Sequence, residues 1–299
     1  YGWLLACRFL TGFFLAGLYP VGMKIAAGWY KEGLGKALGF LVGALVLGTA
    51  FPHLLKSLDT QLAWHEVLIS VSCLAMSGGI LLYLLVPDGP YHTKGAPFDP
   101  KALAIIFRSR QFRASAFGYF GHMWELYAFW AFIPVYLSAH FALNGIEHPN
   151  LSLWAFLIIG IGFIGCAGGG LLSQTLGSAR VATLQLSISG LCCLLSPLLF
   201  FAPTPVLLAF LLLWGITVAG DSPQFSALNA QNAPPTQVGS ALTIVNSIGF
   251  AISILSIELL NQLSGVIAKE YLYLALLAGP VFGLFSMRSL VRAAPTPNT

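Results

Sequence analysis

Charged side chains are scarce in this sequence. Asp, Glu, Lys and Arg make up 8% of the 299 residues, whereas hydrophobic residues make up 57%. A soluble globular domain carries about 25% charged residues, and the mean hydropathy here is +0.83. The composition excludes a soluble domain and predicts an integral membrane protein. We therefore interpret the formal net charge of +4 as a sign of how basic residues are divided between the two sides of the membrane, and not as a sign of nucleic-acid binding.

The sequence also lacks the local motifs of common enzymes. It contains no phosphate-binding glycine loop, no nucleophile elbow and no cluster of residues at metal-ligand spacing. We interpret its five cysteines, which all lie in apolar segments, as small buried hydrophobic residues: Cys7, Cys73, Cys166, Cys192 and Cys193. The sequence therefore predicts neither an enzyme nor a protein that depends on a metal or another cofactor.

Long apolar segments are what the chain has in abundance. A membrane-spanning helix needs about 20 predominantly apolar residues at about 1.5 Å each. Nine segments meet this requirement and predict an all-α membrane protein. They run from about Trp3–Gly22, Ala37–Leu55, Val67–Val86, Ala114–Leu137, Leu153–Leu172, Ala182–Phe201, Val206–Ala230, Val238–Leu260 and Ile267–Ser286.

Basic residues are unevenly divided between the two sides that nine spans create. When the turn with Lys31 is placed in the cytoplasm, eleven basic residues fall on the cytoplasmic side and two on the other, with Arg8 inside a span. The first set is Lys24, Lys31, Lys36, Lys94, Lys101, Arg108, Arg110, Arg113, Arg180, Arg288 and Arg292, and the second is Lys56 and Lys269. Because cytoplasmic segments carry an excess of Lys and Arg, this division supports nine spans and predicts a cytoplasmic carboxy-terminus.

The longest polar segment, residues 87–113, separates three spans from six. It contains four prolines and seven charged residues. This composition predicts a cytoplasmic linker between two helical bundles. Residues 1–86 would contribute three helices to the first bundle, and residues 114–299 would form the second with six.

The span from Ala114 to Leu137 carries two ionisable residues near its middle. Glu125 follows Arg113 by twelve residues, which places it roughly 18 Å along a helix and near the membrane midplane. An ionised carboxylate there costs at least about 2.5–3.5 kcal/mol, so it normally faces a cavity or a partner. His122 shares its helix face, being three residues away. We predict that this face carries substrate or protons. The alternatives are a hydrogen bond from Glu125 to a neighbouring helix and a packing role for His122.

A second polar stripe lies in the span from Val206 to Ala230. Thr217, Asp221 and Gln224 follow one another at i, i+4 and i+7 and therefore share a helix face. Gly220 and Pro223 flank Asp221 and predict a local break, which would expose backbone groups to a cavity. We predict a role in the transport pathway. The alternative is that Asp221 caps a kinked helix.

Three further residues are weaker candidates. Arg8 lies in the first span, where it could hold an anionic substrate, pair with a carboxylate, or bond to backbone carbonyls in a structural role. Asn246 and Tyr119 could line a substrate cavity from their own spans.

Several segments resemble the major facilitator superfamily. Arg8-Phe-Leu-Thr-Gly12 is similar to the Arg-x-x-x-Gly element of that family's fourth helix, and the segment Gly28–Ala37 is similar to the turn that follows it. A set of four residues loosely resembles the glycine-rich motif of the fifth helix: Gly39, Gly43, Gly48 and Pro52. The basic linker lies where the family has its central cytoplasmic loop. The resemblance covers the whole chain as helices four to twelve.

This resemblance implies that three further spans precede Tyr1 in the natural protein, since they would restore two bundles of six helices. It also implies a monomeric, multi-pass protein of a bacterial inner membrane. A looser resemblance to bacterial nitrate/nitrite transporters is incomplete. The span Leu153–Leu172 has no arginine and the segment Gly39–Pro52 has no asparagine, which argues against nitrate as the substrate.

In this family the substrate is expected near the midplane, between helices four, seven and ten. Here those helices hold Arg8, His122 with Glu125, and Asp221. We therefore predict a secondary active transporter of a small organic solute that works by alternating access. Proton uptake and release by Glu125 and Asp221 would couple it to the proton gradient, and a neutral or cationic solute fits the acidic second half better than an anion.

Two alternatives stay open. One is a multidrug exporter of the same fold, which would accept many hydrophobic cations. The other is a membrane sensor without transport activity, or a fragment that lacks a complete pathway. In either case the chain would lie in a lipid bilayer and would bind no nucleic acid.

Overall fold

The computed structural model describes residues 1–30, 33–58, 63–91, 106–147, 149–234 and 237–293. Helices dominate this part of the chain, and no strand occurs in the described ranges. Nine stretches of helix are long and apolar enough to cross a membrane within these residues. The predicted fold class and the predicted number of spans are thus confirmed for the residues described.

The helices begin and end close to the predicted bounds. They are α1 Gly2–Trp29, α2 Leu34–Leu58, α3 Trp64–Leu85, α4 Arg110–Leu143, α5 Leu151–Gly160, α6 Gly162–Leu176, α7 Ser178–Phe200, α8 Thr204–Gly220, α9 Ser222–Asn232, α10 Val238–Ser264 and α11 Ala278–Ala293, with a 3₁₀ helix at Lys269–Leu277 before α11. Three spans are therefore composite: α5 with α6, α8 with α9, and the 3₁₀ helix with α11.

Helix α4 is the centre of the core. It packs most extensively against α11 and α10, and it also contacts α9 and the 3₁₀ helix. The hydroxyl of Ser109 begins it by accepting a hydrogen bond from the amide of Phe112 at 3.2 Å, as an N-cap does. Its start at Arg110 is four residues before the predicted start of the span. The core position of α4 buries both His122 and Glu125.

The first three helices meet the rest of the chain mainly through α2, which packs along α5 and α6. The closest approach is at Gly39, where an added Cβ would lie 2.7 Å from the carbonyl oxygen of Cys166 and 3.1 Å from Cα of Gly170. Such backbone contact requires small residues. By contrast, α3 buries no residue, and the residues of α1 up to Leu15 are exposed. Cys7 on α1 and Cys73 on α3 are therefore exposed, and the interpretation of these two cysteines as buried residues was wrong.

Three turns lie together at one end of the molecule, as the alternation of spans requires. The turn after α1, the turn between α6 and α7, and the end of α9 surround a polar cavity of about 550 Å³. Lys36 and Ser178 are among the residues that line it. Lys31, Lys94 and Lys101, which contributed to the predicted charge division, lie outside the described residues.

The predicted linker is described only at its ends, because residues 92–105 are outside the described ranges. At its start, the amide of Tyr91 donates to the carbonyl oxygen of Gly28 at 2.9 Å. At its end, the Arg113 guanidinium donates to the carbonyl oxygens of Phe107 and Arg108 at 2.7 and 2.9 Å. Both ends are thus attached to neighbouring helices. The division of the chain at residues 87–113 into two bundles stays a prediction.

Candidate functional site

The break between α8 and α9 falls at Asp221, where the sequence predicts it. Pro223 has no N–H, so it cannot give the carbonyl of Ala219 the usual helical hydrogen bond. The Sγ of Cys166 on α6 donates to that carbonyl instead, at 3.2 Å. Asp221 is the N-cap residue of α9, but its side chain makes no capping hydrogen bond. The carboxylate is therefore free of the capping role that was the structural alternative for it.

His122 of α4 lies next to this break. Its Nδ1 is 2.8 Å from Oδ1 of Asp221, and each side chain is 1% exposed. The distance is that of an ion pair, but the angles at the two atoms are not those of a well-formed hydrogen bond. The rings of Tyr119 and Phe225 both lie 5.8 Å from the imidazole ring, centroid to centroid. The acid–imidazole pair is thus enclosed by aromatic side chains.

Several buried polar atoms around this pair have no hydrogen-bond partner among the described residues. They are Nε2 of His122, Oδ2 of Asp221, and both amide atoms of Gln224, while Oδ1 of Asp221 has only the ion pair with His122. An unsatisfied buried polar group costs about 1–3 kcal/mol, so native proteins satisfy most of them. A cluster of four such atoms on three side chains is the arrangement expected where a polar ligand binds.

Two more predicted residues border this cluster. An added Cβ at Gly249 of α10 would lie 2.7 Å from the ring of Tyr119, so α10 packs on that ring. Asn246 is one turn before Gly249 on the same face, is 5% exposed, and has no hydrogen-bond partner for Nδ2 in the described ranges. Tyr119 therefore lies beside the pair and Asn246 lies on the face of α10 that packs toward Tyr119, and their role in lining a cavity stays a prediction.

Glu125 has a different environment from His122, although the two share a helix face. Its Oε1 accepts hydrogen bonds from Ser189 and from Cys193 (3.3 Å) on α7, and from the indole Nε1 of Trp214 (2.8 Å) on α8. Three donors on one oxygen are what is expected of a carboxyl group that joins helices α4, α7 and α8. This arrangement favours the structural alternative for Glu125, and its role in transport stays a prediction.

Thr217 is also satisfied within its own helix. Its hydroxyl donates to the carbonyl oxygens of Leu213 and Trp214, both at 3.2 Å. Of the predicted polar stripe, only Asp221 and Gln224 therefore have polar side-chain groups without partners in the described part of the chain.

Arg8 is not brought to this cluster. It is exposed on α1, eleven residues before Tyr19, which corresponds to roughly 16 Å along the helix. Helix α1 reaches the site through Tyr19 instead, whose hydroxyl lies 3.3 Å from that of Ser226 on α9. Helix α2 reaches it at Gly35, where an added Cβ would lie 3.4 Å from Oε1 of Gln224.

Sequence reasoning missed two amide side chains near the break, one buried and one half-buried. Asn229 on α9 is 1% exposed, and its Oδ1 has no partner among the described residues. Gln185 on α7 extends its amide to the end of α8. In each case the available signal was an amide side chain within an apolar span, a weaker signal than a charge.

The sequence model of the Major Facilitator Superfamily matches residues 1–257. Among solved structures, the crystal structure of a variant of the E. coli fucose:proton symporter has a TM-score of 0.53 and 18% sequence identity to this chain. The match covers 77% of this chain and 55% of the symporter chain. The likeness shows a common fold, and this chain spans little more than half the length of the symporter. No curated protein sequence matches the chain.

Proposed function

This chain belongs to the Major Facilitator Superfamily, and on that premise we propose that it is a secondary active transporter rather than an enzyme. It moves a small polar organic solute by alternating access of two helical bundles across a membrane. Residues 1–86 belong to the first bundle and residues 114–299 form the second. The observation that carries the proposal is the buried cluster of unpartnered polar atoms on His122, Asp221 and Gln224. It lies where the second bundle meets α1 and α2.

The chemistry of this cluster favours an uncharged solute with hydroxyl or amide groups. The carboxylate of Asp221 only accepts hydrogen bonds when ionised, whereas the amide of Gln224 both donates and accepts. An anion would be repelled by Asp221, and a cation would compete with His122 for it. A solute with both donors and acceptors satisfies all three side chains, and the rings of Tyr119 and Phe225 cover its apolar surface.

Proton coupling is the second part of the proposal. The acid–imidazole pair can hold a proton between two side chains when the site is open to one side and release it when the site opens to the other. The similar fold of a fucose:proton symporter supports the proposal of proton coupling. We assign the coupling to His122 and Asp221 in the first place, because Glu125 already accepts three hydrogen bonds within its own bundle.

Contacts between the two sets of helices support alternating access. Met23 of α1 and Leu38 of α2 pack with Ala227 of α9 and Leu242 of α10. This apolar contact lies toward the end of the molecule where basic residues predict the cytoplasm. This contact would have to separate before a solute could leave on that side. The arrangement with the contact formed therefore corresponds to a site closed toward the cytoplasm.

The test is uptake by the purified natural protein in liposomes that contain a pH-sensitive dye. L-fucose, a neutral amino acid and choline serve as probes of three chemical classes. We expect accumulation of a neutral probe together with movement of protons, and loss of both the accumulation and the net proton movement in Asp221→Asn. Glu258→Gln makes the same chemical change at an exposed position on α10 and should transport normally. Transport of no probe by the wild type, or equal transport by wild type and Asp221→Asn, would contradict the proposal.

The same assay separates the alternatives. A multidrug exporter would be inhibited by many unrelated hydrophobic cations, whereas a transporter for one polar solute would be inhibited only by close analogues of it. A sensor would bind a probe without moving it.

A further inference from the structure

Gln185 lies at the meeting point of α6, α7 and α8. It is half-buried on α7, and its Nε2 donates to the carbonyl oxygen of Gly165 on α6 at 3.2 Å. This bond fixes which end of the amide faces α6, because an oxygen in place of Nε2 would face the carbonyl oxygen of Gly165. Oε1 is buried without a hydrogen-bond partner among the described residues.

The amide of Gln185 lies directly against Gly220, the last residue of α8. An added Cβ at Gly220 would be 2.5 Å from Nε2 and 2.8 Å from both Cδ and Oε1 of Gln185. An added Cβ at Gly169 on α6 would be 2.9 Å from the same Nε2. Glycine at both positions therefore allows one polar side chain to contact the backbone of two helices.

Gly220 immediately precedes Asp221, so its position sets the direction from which the Asp221 carboxylate approaches His122. Pro223 weakens the helical hydrogen bonding at this point, and the backbone depends on side chains from other helices for support. Cys166 on α6 donates a hydrogen bond to the Ala219 carbonyl, and the amide of Gln185 on α7 packs against Gly220. Because the attraction between an imidazolium and a carboxylate depends on the distance between them, a displacement of Gly220 would alter the acid–imidazole pair.

We propose that Gln185 is a positioning residue of the His122–Asp221 pair, which it acts on through the backbone of Gly220. The inference rests on the proposed function, since it concerns the geometry of the same site. Gln185 itself has no titratable group. The titratable side chains around the pair in the described ranges are Glu125 and Tyr119 of α4, Tyr19 of α1 and Cys166 of α6.

The experiment measures the unfolding temperature of the purified natural protein between pH 5 and pH 8, together with its uptake. The difference between wild type and Asp221→Asn gives the part of the pH dependence of the unfolding temperature that comes from the pair. Gln185→Leu keeps the approximate shape of the side chain and removes its amide. Gln262→Leu makes the same change at an exposed position on α10 and serves as the control.

We expect Gln185→Leu to lose most of the pH dependence that Asp221→Asn removes, and Gln262→Leu to retain it. Gly220→Ala should also lose most of this pH dependence. The double variant Gly220→Ala with Gln185→Leu should lose no more of it than either single variant, because both substitutions act on one contact. If Gln185→Leu lowers the unfolding temperature but keeps the pH dependence that Asp221→Asn removes, Gln185 has only a packing role and the inference is wrong. An Asp221→Asn profile identical to that of the wild type would overturn it as well.

The two proposals fail in different ways. If the wild type moves no probe but Gln185→Leu still removes the Asp221-dependent part, the transport proposal fails and the positioning role stands. If the wild type transports and Gln185→Leu leaves both the pH dependence and uptake unchanged, only the positioning role fails.

Discussion

Nδ1 of His122 lies 2.8 Å from Oδ1 of Asp221, and the two residues belong to different membrane spans. Neither Asp221 oxygen has a well-formed hydrogen bond to any other group in the described residues. The pair is therefore both buried and chemically available, a combination that the buried carboxylate of Glu125 does not have.

If this pair carries the coupled proton, Asp221→Asn should separate solute movement from proton movement. We expect the variant to lose accumulation driven by a pH gradient but to keep exchange of labelled for unlabelled solute, because exchange needs no net proton transfer. Both processes can be measured in the same liposomes. Accumulation by Asp221→Asn equal to that of wild type would assign the coupling elsewhere.

The sequence predicts the break at Asp221 correctly, because Gly220 and Pro223 act locally on the backbone. It also correctly predicts that His122 and Glu125 lie in one membrane-spanning helix and on one face of it. It cannot predict that one pairs with Asp221 and the other with donors from α7 and α8, since those partners are brought together only by tertiary packing. The interruption at Ile161 between α5 and α6 was missed, although glycines flank it on both sides.

Glu125 gives a prediction about stability. In Glu125→Gln the amide oxygen can still accept from Ser189 and Trp214, so we expect a folded protein. In Glu125→Leu the Ser189 hydroxyl loses its acceptor and the indole of Trp214 keeps only Ser189 Oγ, at 3.1 Å. An unsatisfied buried polar group costs about 1–3 kcal/mol, so the unfolding temperature should fall. Thermal unfolding in detergent measures the difference. Similar stability of the two variants would contradict the helix-joining role, and a pH dependence of transport in Glu125→Gln equal to wild type would exclude Glu125 from proton coupling.

The contact between α2 and α6 depends on Gly39. A methyl group there would meet backbone atoms of Cys166 and Gly170, which cannot move aside as a flexible side chain can. We expect Gly39→Ala to destabilise the protein by about 1–3 kcal/mol, as overpacking does, and to reduce uptake. Gly48→Ala on the same helix is the matched control, because nothing lies within 4 Å of its added Cβ. Equal unfolding temperatures for the two variants would show that the helices can move apart at little cost.

Gln224 is predicted to contact the solute, since both of its amide atoms are buried without partners among the described residues. Gln224→Leu keeps the approximate size but removes a donor and an acceptor. We expect KM to rise about tenfold, the equivalent of about 1.4 kcal/mol and within the range of one lost hydrogen bond. Gln231→Leu, at an exposed position later in α9, should leave KM unchanged. An unchanged KM in Gln224→Leu would remove this residue from the solute site.

Replacing Pro223 should have opposite effects on stability and transport. Pro223→Ala restores an N–H that can donate to the carbonyl oxygen of Ala219, which Cys166 now contacts. Because the Ala219 carbonyl would regain a helical donor, and a hydrogen bond contributes about 0.5–1.5 kcal/mol, the straightened helix should raise the unfolding temperature. It would also move Asp221 relative to His122, so uptake should fall about tenfold or more. Pro197→Ala removes a proline from α7 at a position away from the pair and should leave uptake unchanged. Normal uptake by a stabilised Pro223→Ala protein would mean that the break is a folding feature without a part in transport.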